Sequence, residues 1–151
     1  MPIISRDMIQ RIQTLYLALA AAAAGVLSFL VSFWTGDDGA VIHLTDMFCA
    51  RDLFMQTIPA LFLVSTLLSL LAIFLFRNRT KQIISNRINI VINFLLLVII
   101  VYSLLNLPGE SQFSEKGIGL FIPIGVIVLL VLANKGILRD DKLVKSVDRL
   151  R

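Results

Sequence analysis

Four apolar segments, each long enough to cross a lipid bilayer, dominate this chain of 151 residues. A hydrocarbon core about 30 Å thick needs about 20 helical residues, because an α-helix rises about 1.5 Å per residue. The segments are 14–34, 57–76, 88–107 and 118–133, and none contains Asp, Glu, Lys, Arg or His. The sequence therefore predicts an all-α fold, a polytopic membrane protein built as a four-helix transmembrane bundle.

The composition argues against a soluble domain of the same length. Hydrophobic residues make up 58% of the chain, and the mean hydropathy is +0.89. A soluble domain of this size cannot hide so much apolar surface, because much of its area must face water. The formal net charge of +4 and pI near 9.6 would suggest nucleic acid in a soluble protein. Here we expect no nucleic-acid partner, because the basic residues follow the membrane pattern described next.

The basic residues are concentrated in three regions, the N-terminal segment, the second connection and the C-terminal tail. The first and third connections carry one basic residue each, Arg51 and Lys116. Cytoplasmic loops of membrane proteins are enriched in Lys and Arg, so both termini and the second connection are predicted to be cytoplasmic. Besides Arg6, the residues in these regions form a predicted basic docking surface: Arg11, Arg77, Arg79, Lys81, Arg87, Lys135, Arg139, Lys142, Lys145, Arg149 and Arg151.

Two regions of different character follow from these patterns. Residues 1–133 are predicted to form the four-span bundle, and 134–151 a basic amphipathic cytoplasmic tail. In the tail, Ile137, Leu143, Val147 and Leu150 recur at roughly helical spacing against a basic face. A helix lying on anionic headgroups of the inner membrane surface fits this pattern, as do a partner-binding helix and a disordered tail.

Local signals predict how the segments begin and end. The apolar stretch at 15–25 continues through 34, too long for a signal peptide, so we expect it to be retained as an anchor. Pro59 fits the first turn of the second helix, and we prefer the same position for Pro123. Residues 77–87 are predicted to form a tight turn, and Pro108 with Gly109 to end the third helix on the outside.

Small residues line one face of the first helix and part of the second. Such residues let helix backbones approach closely in lipid, so these faces are expected to form bundle contacts, with a water-filled path as the alternative. The residues are Ala18, Ala21, Gly25, Ser28 and Ser32 on the first helix, and Ser65, Ser69 and Ala72 on the second.

The third helix has the most polar face of the four. Asn86, Asn89 and Asn93 step inward along it from the cytoplasmic boundary. A carboxamide without a partner in hydrocarbon costs about 4–8 kcal/mol on a cyclohexane scale. Asn89 and Asn93 should therefore face another helix, a partner chain or water. They are either a joint between helices or the lining of a polar vestibule.

Several chemistries are disfavoured by what the chain contains. The lone Cys49 cannot cycle as a dithiol, and no span carries the carboxylate that proton-coupled exporters use. His43 and the acidic residues near it lack the spacing of a metal site. No nucleophile and base are paired by any motif. We therefore expect no enzymatic activity, no cofactor and no metal.

Both ends of the chain resemble one family. The stretch MIQRIQTLYL at 8–17, ANKGI at 133–137 and DKLVKSVDRLR at 141–151 carry the resemblance. They are similar to domain of unknown function 4293, a family of small bacterial four-span integral membrane proteins. The resemblance implies an inner-membrane protein of two-membrane bacteria with no known activity, and a start at Met8 as an alternative to Met1.

These observations predict an integral inner-membrane protein without enzymatic activity. The leading expectation is an accessory or structural subunit that docks to a larger membrane complex. The alternative is a small oligomeric transporter or channel that uses the polar faces of the second and third helices. The expected partners are anionic lipid headgroups at the cytoplasmic face and either a protein partner or further copies of the chain.

Overall fold

The computed structural model of the protein describes residues 2–36, 38–106 and 118–150, with side chains from Gln10 onward. The predicted stop of the third helix at Pro108 and Gly109, the single basic residue Lys116 of the third connection, and Arg151 lie outside the described residues. Within the described residues the chain is almost entirely helical, with one short hairpin between the first and second long helices.

The elements follow one another with short connections. Helix α1 (Pro2–Ala22) continues through a π-helical turn (Ala23–Leu27) into α2 (Ser28–Leu30). The hairpin β1 (Ser32–Thr35) and β2 (Val41–His43) leads into α3 (Leu44–Phe48). The remaining elements are α4 (Leu53–Phe74), a 3-10 turn (Leu75–Arg77), α5 (Arg79–Asn106), a second 3-10 turn (Ile118–Leu120) and α6 (Phe121–Arg149).

Four of the helical segments are long and apolar enough to cross a membrane: Gln10–Leu30, Leu53–Arg77, Arg79–Asn106 and Ile118–Arg149. They confirm the predicted all-α fold with four such helices. Helix α1 packs against α4 and α6, and α5 packs against the same two helices from the opposite side. The bundle is therefore a ring in which each long helix contacts the next one in sequence and the last contacts the first.

The first long helix ends earlier than the apolar run that predicted it. The helix stops at Leu30, so Ser32 and Trp34 belong to strand β1 and not to a span ending at 34. The strand pairs with β2 through Ser32 and His43 and through Trp34 and Ile42, with a bulge between the two pairs. Phe33 and Trp34 are 1% and 2% exposed. Hydropathy cannot separate lipid-facing residues from those buried under a hairpin, because both are apolar.

The second and third long helices both begin earlier in the chain than predicted. Residues 79–87, predicted as part of a turn, form the first turns of α5, and Asn78 alone separates α5 from the preceding 3-10 turn. Helix α4 begins at Leu53, so Pro59 lies inside the helix and not in its first turn. The polar residues at 79–87 are as compatible with a helix outside lipid as with a turn. Hydropathy therefore indicated where the apolar run ends and not where the helix ends. Pro123 does lie in the first turn of α6.

Helix α6 passes without a break through residue 133, where the sequence suggested a boundary between bundle and tail. Ile137 and Asp140, beyond that boundary, are 1% and 3% exposed. Backbone hydrogen bonds of a helix are internal, so leaving the apolar region does not require a new element. Leu143 and Val147, further along α6, are more than half exposed.

Candidate functional site

The contact between α4 and α5 contains a closed set of polar side chains, Ser65, Ser69, Asn89 and Asn93, here called the polar seam. All four are 0% exposed. The Asn89 amide nitrogen donates to Ser69 Oγ at 2.8 Å and to the Ser65 carbonyl at 3.1 Å. The Asn93 amide nitrogen donates to Ser65 Oγ at 2.8 Å and to Asn89 Oδ1 at 3.0 Å.

The seam forms because two four-residue spacings face each other. Ser65 and Ser69 lie one turn apart on α4, and Asn89 and Asn93 lie one turn apart on α5, so each pair shares one helix face. Serine is small enough to let the helices approach, and the longer carboxamide spans the gap. The sequence named these four residues as a face for packing or for polar function, and the structure brings all four together.

The polar contacts continue along α5 toward its N-terminal end. The Asn86 amide nitrogen donates to Asn134 Oδ1 on α6 at 3.0 Å, and the Gln82 amide nitrogen donates to the Ala72 carbonyl at 2.9 Å. Two carbonyl oxygens, Asn86 Oδ1 and Asn93 Oδ1, are buried and have no hydrogen-bond donor among the described residues. The polar face of α5 therefore joins both neighbouring helices.

A cavity of about 90 Å³ opens at the end of the bundle where α5 begins, and it is here called the end cavity. Beside it an Arg79 guanidinium nitrogen lies 3.0 Å from Asp140 Oδ2, and the Asp140 side chain is only 4% exposed. All four long helices or their ends contribute lining residues. These are Gln10, Gln13, Thr14, Phe76, Arg79, Gln82 and Asp140.

The predicted small-residue face of the first helix is only partly inside the bundle. Ala21 and Ser28 are buried, and Ser28 Oγ donates to the Ala24 carbonyl at 2.6 Å. Gly25 is half-buried, and a Cβ placed on it would lie 3.0 Å from Thr66 Cγ2 of α4. Ala18 is exposed on the outer surface. On α4, Ala72 is buried with the two seam serines.

The basic residues gather at the end of the bundle that holds the end cavity, because α1 and α5 begin there and α4 and α6 end there or extend past it. Arg79 is half-buried in its ion pair, and Lys145 pairs with Asp141 at 2.8 Å. The other described members of the predicted docking surface are exposed: Arg11, Arg77, Lys81, Arg87, Lys135, Arg139, Lys142 and Arg149.

Sequence reasoning missed four polar residues of the interior. Gln82 was assigned to a turn, Asn134 and Asp140 to a basic amphipathic tail, and Gln13 to the lead of the first helix. A signal was present for α6, because Leu130, Ala133, Ile137 and Asp140 follow helical spacing and all are buried. Extending the periodicity past the apolar run would have placed Asp140 inside the bundle.

The opposite end of the molecule from the end cavity contains His43, Asp46 and Cys49. The His43 backbone nitrogen donates to Asp46 Oδ2 at 2.9 Å, and this contact closes a capping box at the start of α3. Cys49 is an exposed free thiol. Within the described residues, no group of three or more His, Cys, Asp or Glu side chains could hold a metal ion.

Four apolar helices in a ring, with a polar seam inside, define a small helical protein compatible with several passes through a membrane. The chain belongs to the family described as Domain of unknown function (DUF4293), whose model matches residues 9–150. That match covers nearly the whole chain and agrees with the resemblance at its two ends. Comparisons with curated proteins and with solved structures found no match.

Proposed function

We propose that this protein is an inner-membrane accessory or structural subunit, without enzymatic activity, that docks to a larger membrane complex. The closed polar seam carries this proposal. Its four side chains are 0% exposed, the two asparagine amide nitrogens donate to the serine hydroxyls of the facing helix, and Asn93 also donates to Asn89 Oδ1. Groups so engaged hold helices together, whereas a solute path needs polar groups that face an opening.

The surface supports docking at the basic end. Leu143 and Val147 lie one turn apart on α6 and are 52% and 57% exposed, beside the exposed cations Lys142 and Arg149. An apolar pair framed by cations suits a protein partner that offers an apolar groove with an acidic rim. Cytoplasmic placement of this end follows from the positive-inside rule, with anionic headgroups as its lipid neighbours.

Mild detergent extraction of the tagged protein, followed by mass spectrometry of co-purifying chains, tests the proposal. We expect a stoichiometric partner that is lost with Leu143→Ser/Val147→Ser and kept with the apolar control Leu143→Met/Val147→Ile. Both variants should melt near the wild-type temperature, because these side chains are exposed. A monodisperse homo-oligomer without a stoichiometric partner would count against an accessory subunit.

The proposed orientation has its own test at Cys49. With both termini in the cytoplasm, the connection between the first two spans lies outside, and the thiol is exposed there. A membrane-impermeant thiol reagent applied to intact spheroplasts should label Cys49. Labelling only after the membrane is permeabilised would show that the orientation is the opposite of the one proposed.

One observation favours a second candidate, a small oligomeric transporter or channel. The oxygens Asn86 Oδ1 and Asn93 Oδ1 are buried without a donor among the described residues, so each could accept a bond from a passing water or solute. Liposomes reconstituted with the protein would show flux that is lost with Asn93→Leu if this candidate is correct. An absence of flux across varied ions and small polar solutes would remove it.

A further inference from the structure

Gln13 brings an unused hydrogen-bond donor to the end cavity. The residue lies on α1, is only 7% exposed and lines the cavity. Its amide nitrogen is buried and has no acceptor among the described residues. A buried donor without an acceptor destabilises the fold. An acceptor that reached this nitrogen from the cavity would therefore be stabilised.

Arg79 adds further donors on the other side of the same cavity. Its guanidinium carries five N–H groups, and the Asp140 carboxylate is the acceptor that the described residues supply. Arg79 is half-buried and Asp140 is 3% exposed, so the ion pair holds the guanidinium in place. The planar fork suits a phosphate group, which accepts two parallel N–H bonds.

The charge around the cavity favours an anion over a cation. The one carboxylate lining the cavity is already neutralised by Arg79, and a guanidinium at this distance repels a metal ion. Exposed cations surround the same end of the bundle, namely Arg11, Arg77, Lys81 and Arg139. The cavity volume of about 90 Å³ exceeds the volume of about 10–15 Å³ that one water needs, so the cavity has room for more than one water-sized group.

The position of the cavity relative to the apolar segments indicates which source of the anion to expect. The predicted apolar segments 14–34 and 57–76 end at Thr14 and Phe76 on this side of the bundle, and both residues line the cavity. The phosphates of a bilayer lie at this depth, and the 61% exposed Phe76 ring offers contact for glycerol and upper acyl carbons. We propose that the end cavity binds the phosphate group of a phospholipid, held by the Arg79 guanidinium and the Gln13 amide.

This site does not depend on docking to a larger assembly, so it is tested on the isolated full chain. Delipidated protein in an uncharged maltoside detergent is titrated with phosphatidylglycerol, and binding is followed by native mass spectrometry and by the melting temperature. We expect saturable binding of one lipid. Diacylglycerol with the same acyl chains lacks the phosphate and should not compete.

Two cavity variants probe the proposed contacts. Gln13→Met keeps the length of the side chain and removes its donor, and Arg79→Lys keeps the charge beside Asp140 but removes the fork. Each should weaken phosphatidylglycerol binding about tenfold, the loss expected for one charge-assisted hydrogen bond. The matched controls, Gln56→Met at the other end of α4 and the exposed Arg87→Lys, should bind as the wild type does.

The outcomes separate the sources of phosphate. If inorganic phosphate alone stabilises the protein with the same dependence on Gln13 and Arg79, and the lipid does not, the phosphate site stands and the lipid source is wrong. If the lipid binds equally well to the wild type and to both cavity variants, or not at all, the proposal is overturned. Should Gln13→Met fail to fold, the comparison of phosphatidylglycerol binding by Arg79→Lys and by Arg87→Lys still tests the proposal.

Discussion

The middle of the bundle and its basic end both contain polar side chains, but they use them differently. In the polar seam the amide nitrogens of Asn89 and Asn93 donate to groups on α4, Asn93 also donates to Asn89, and both residues are 0% exposed. At the end cavity Gln13 has a donor without an acceptor, and Arg79 has more donors than Asp140 can satisfy. The donors of the seam are therefore satisfied without a ligand, although Asn93 Oδ1 has no donor among the described residues, whereas the end cavity has unused donors that suit it to receive an anion.

The largest loss of stability is expected at the ion pair beside the end cavity. Arg79→Met would leave the Asp140 carboxylate, whose side chain is 4% exposed, without its cation, at a cost of about 2–4 kcal/mol. Arg79→Met/Asp140→Leu should recover most of this loss, because no unpaired charge remains. Thermal unfolding in detergent measures both. A double variant no more stable than the single one would contradict the assigned ion pair.

A smaller loss of stability is expected when Gly119 is replaced by alanine, and the same change at Gly136 shows whether the two ends of the bundle are equally rigid. A Cβ added at Gly119 would lie 2.6 Å from the buried Phe33 ring, so Gly119→Ala should cost about 1–3 kcal/mol through overpacking. At Gly136 the nearest atom, Gln13 Cγ, is 3.1 Å away, and Gln13 borders the end cavity. In Gly136→Ala, the gain in helix propensity of about 1 kcal/mol should offset the cost of a small shift of the Gln13 side chain. Equal losses of stability in the two variants would show that both ends are equally rigid.

The polar seam should lose less when one of its amides is replaced. Asn89→Leu removes the bonds to Ser69 Oγ and the Ser65 carbonyl, and we expect a loss of about 1–2 kcal/mol, typical of interhelical hydrogen bonds in membranes. Asn106 is a matched control, since it is exposed on the same helix and, among the described residues, its amide nitrogen donates to the Tyr102 carbonyl. Asn106→Leu should change the melting temperature little. If the two substitutions had the same effect, the seam would not be the joint described.

Sequence reasoning reached the seam but not the end cavity. Hydropathy predicted the four long helices, and four-residue spacing identified the faces of Ser65 with Ser69 and of Asn89 with Asn93. It misplaced Ser32 and residues 79–87, because apolar runs report the thickness of lipid and not where backbone hydrogen bonding stops. The end cavity joins Gln13, Arg79 and Asp140 from three helices beyond the apolar runs, and one sequence holds no signal for that convergence.

The difference between a closed seam and an open end can be measured directly by cysteine accessibility. In a Cys49→Ser background, Ser65→Cys places a thiol of similar size in the seam, and Gln10→Cys places one at the border of the end cavity. A membrane-impermeant thiol reagent on the side of the basic end should label Gln10→Cys, and a reagent on neither side should label Ser65→Cys. Labelling of Ser65→Cys from either side would reveal a water-filled path through the bundle and contradict a closed seam.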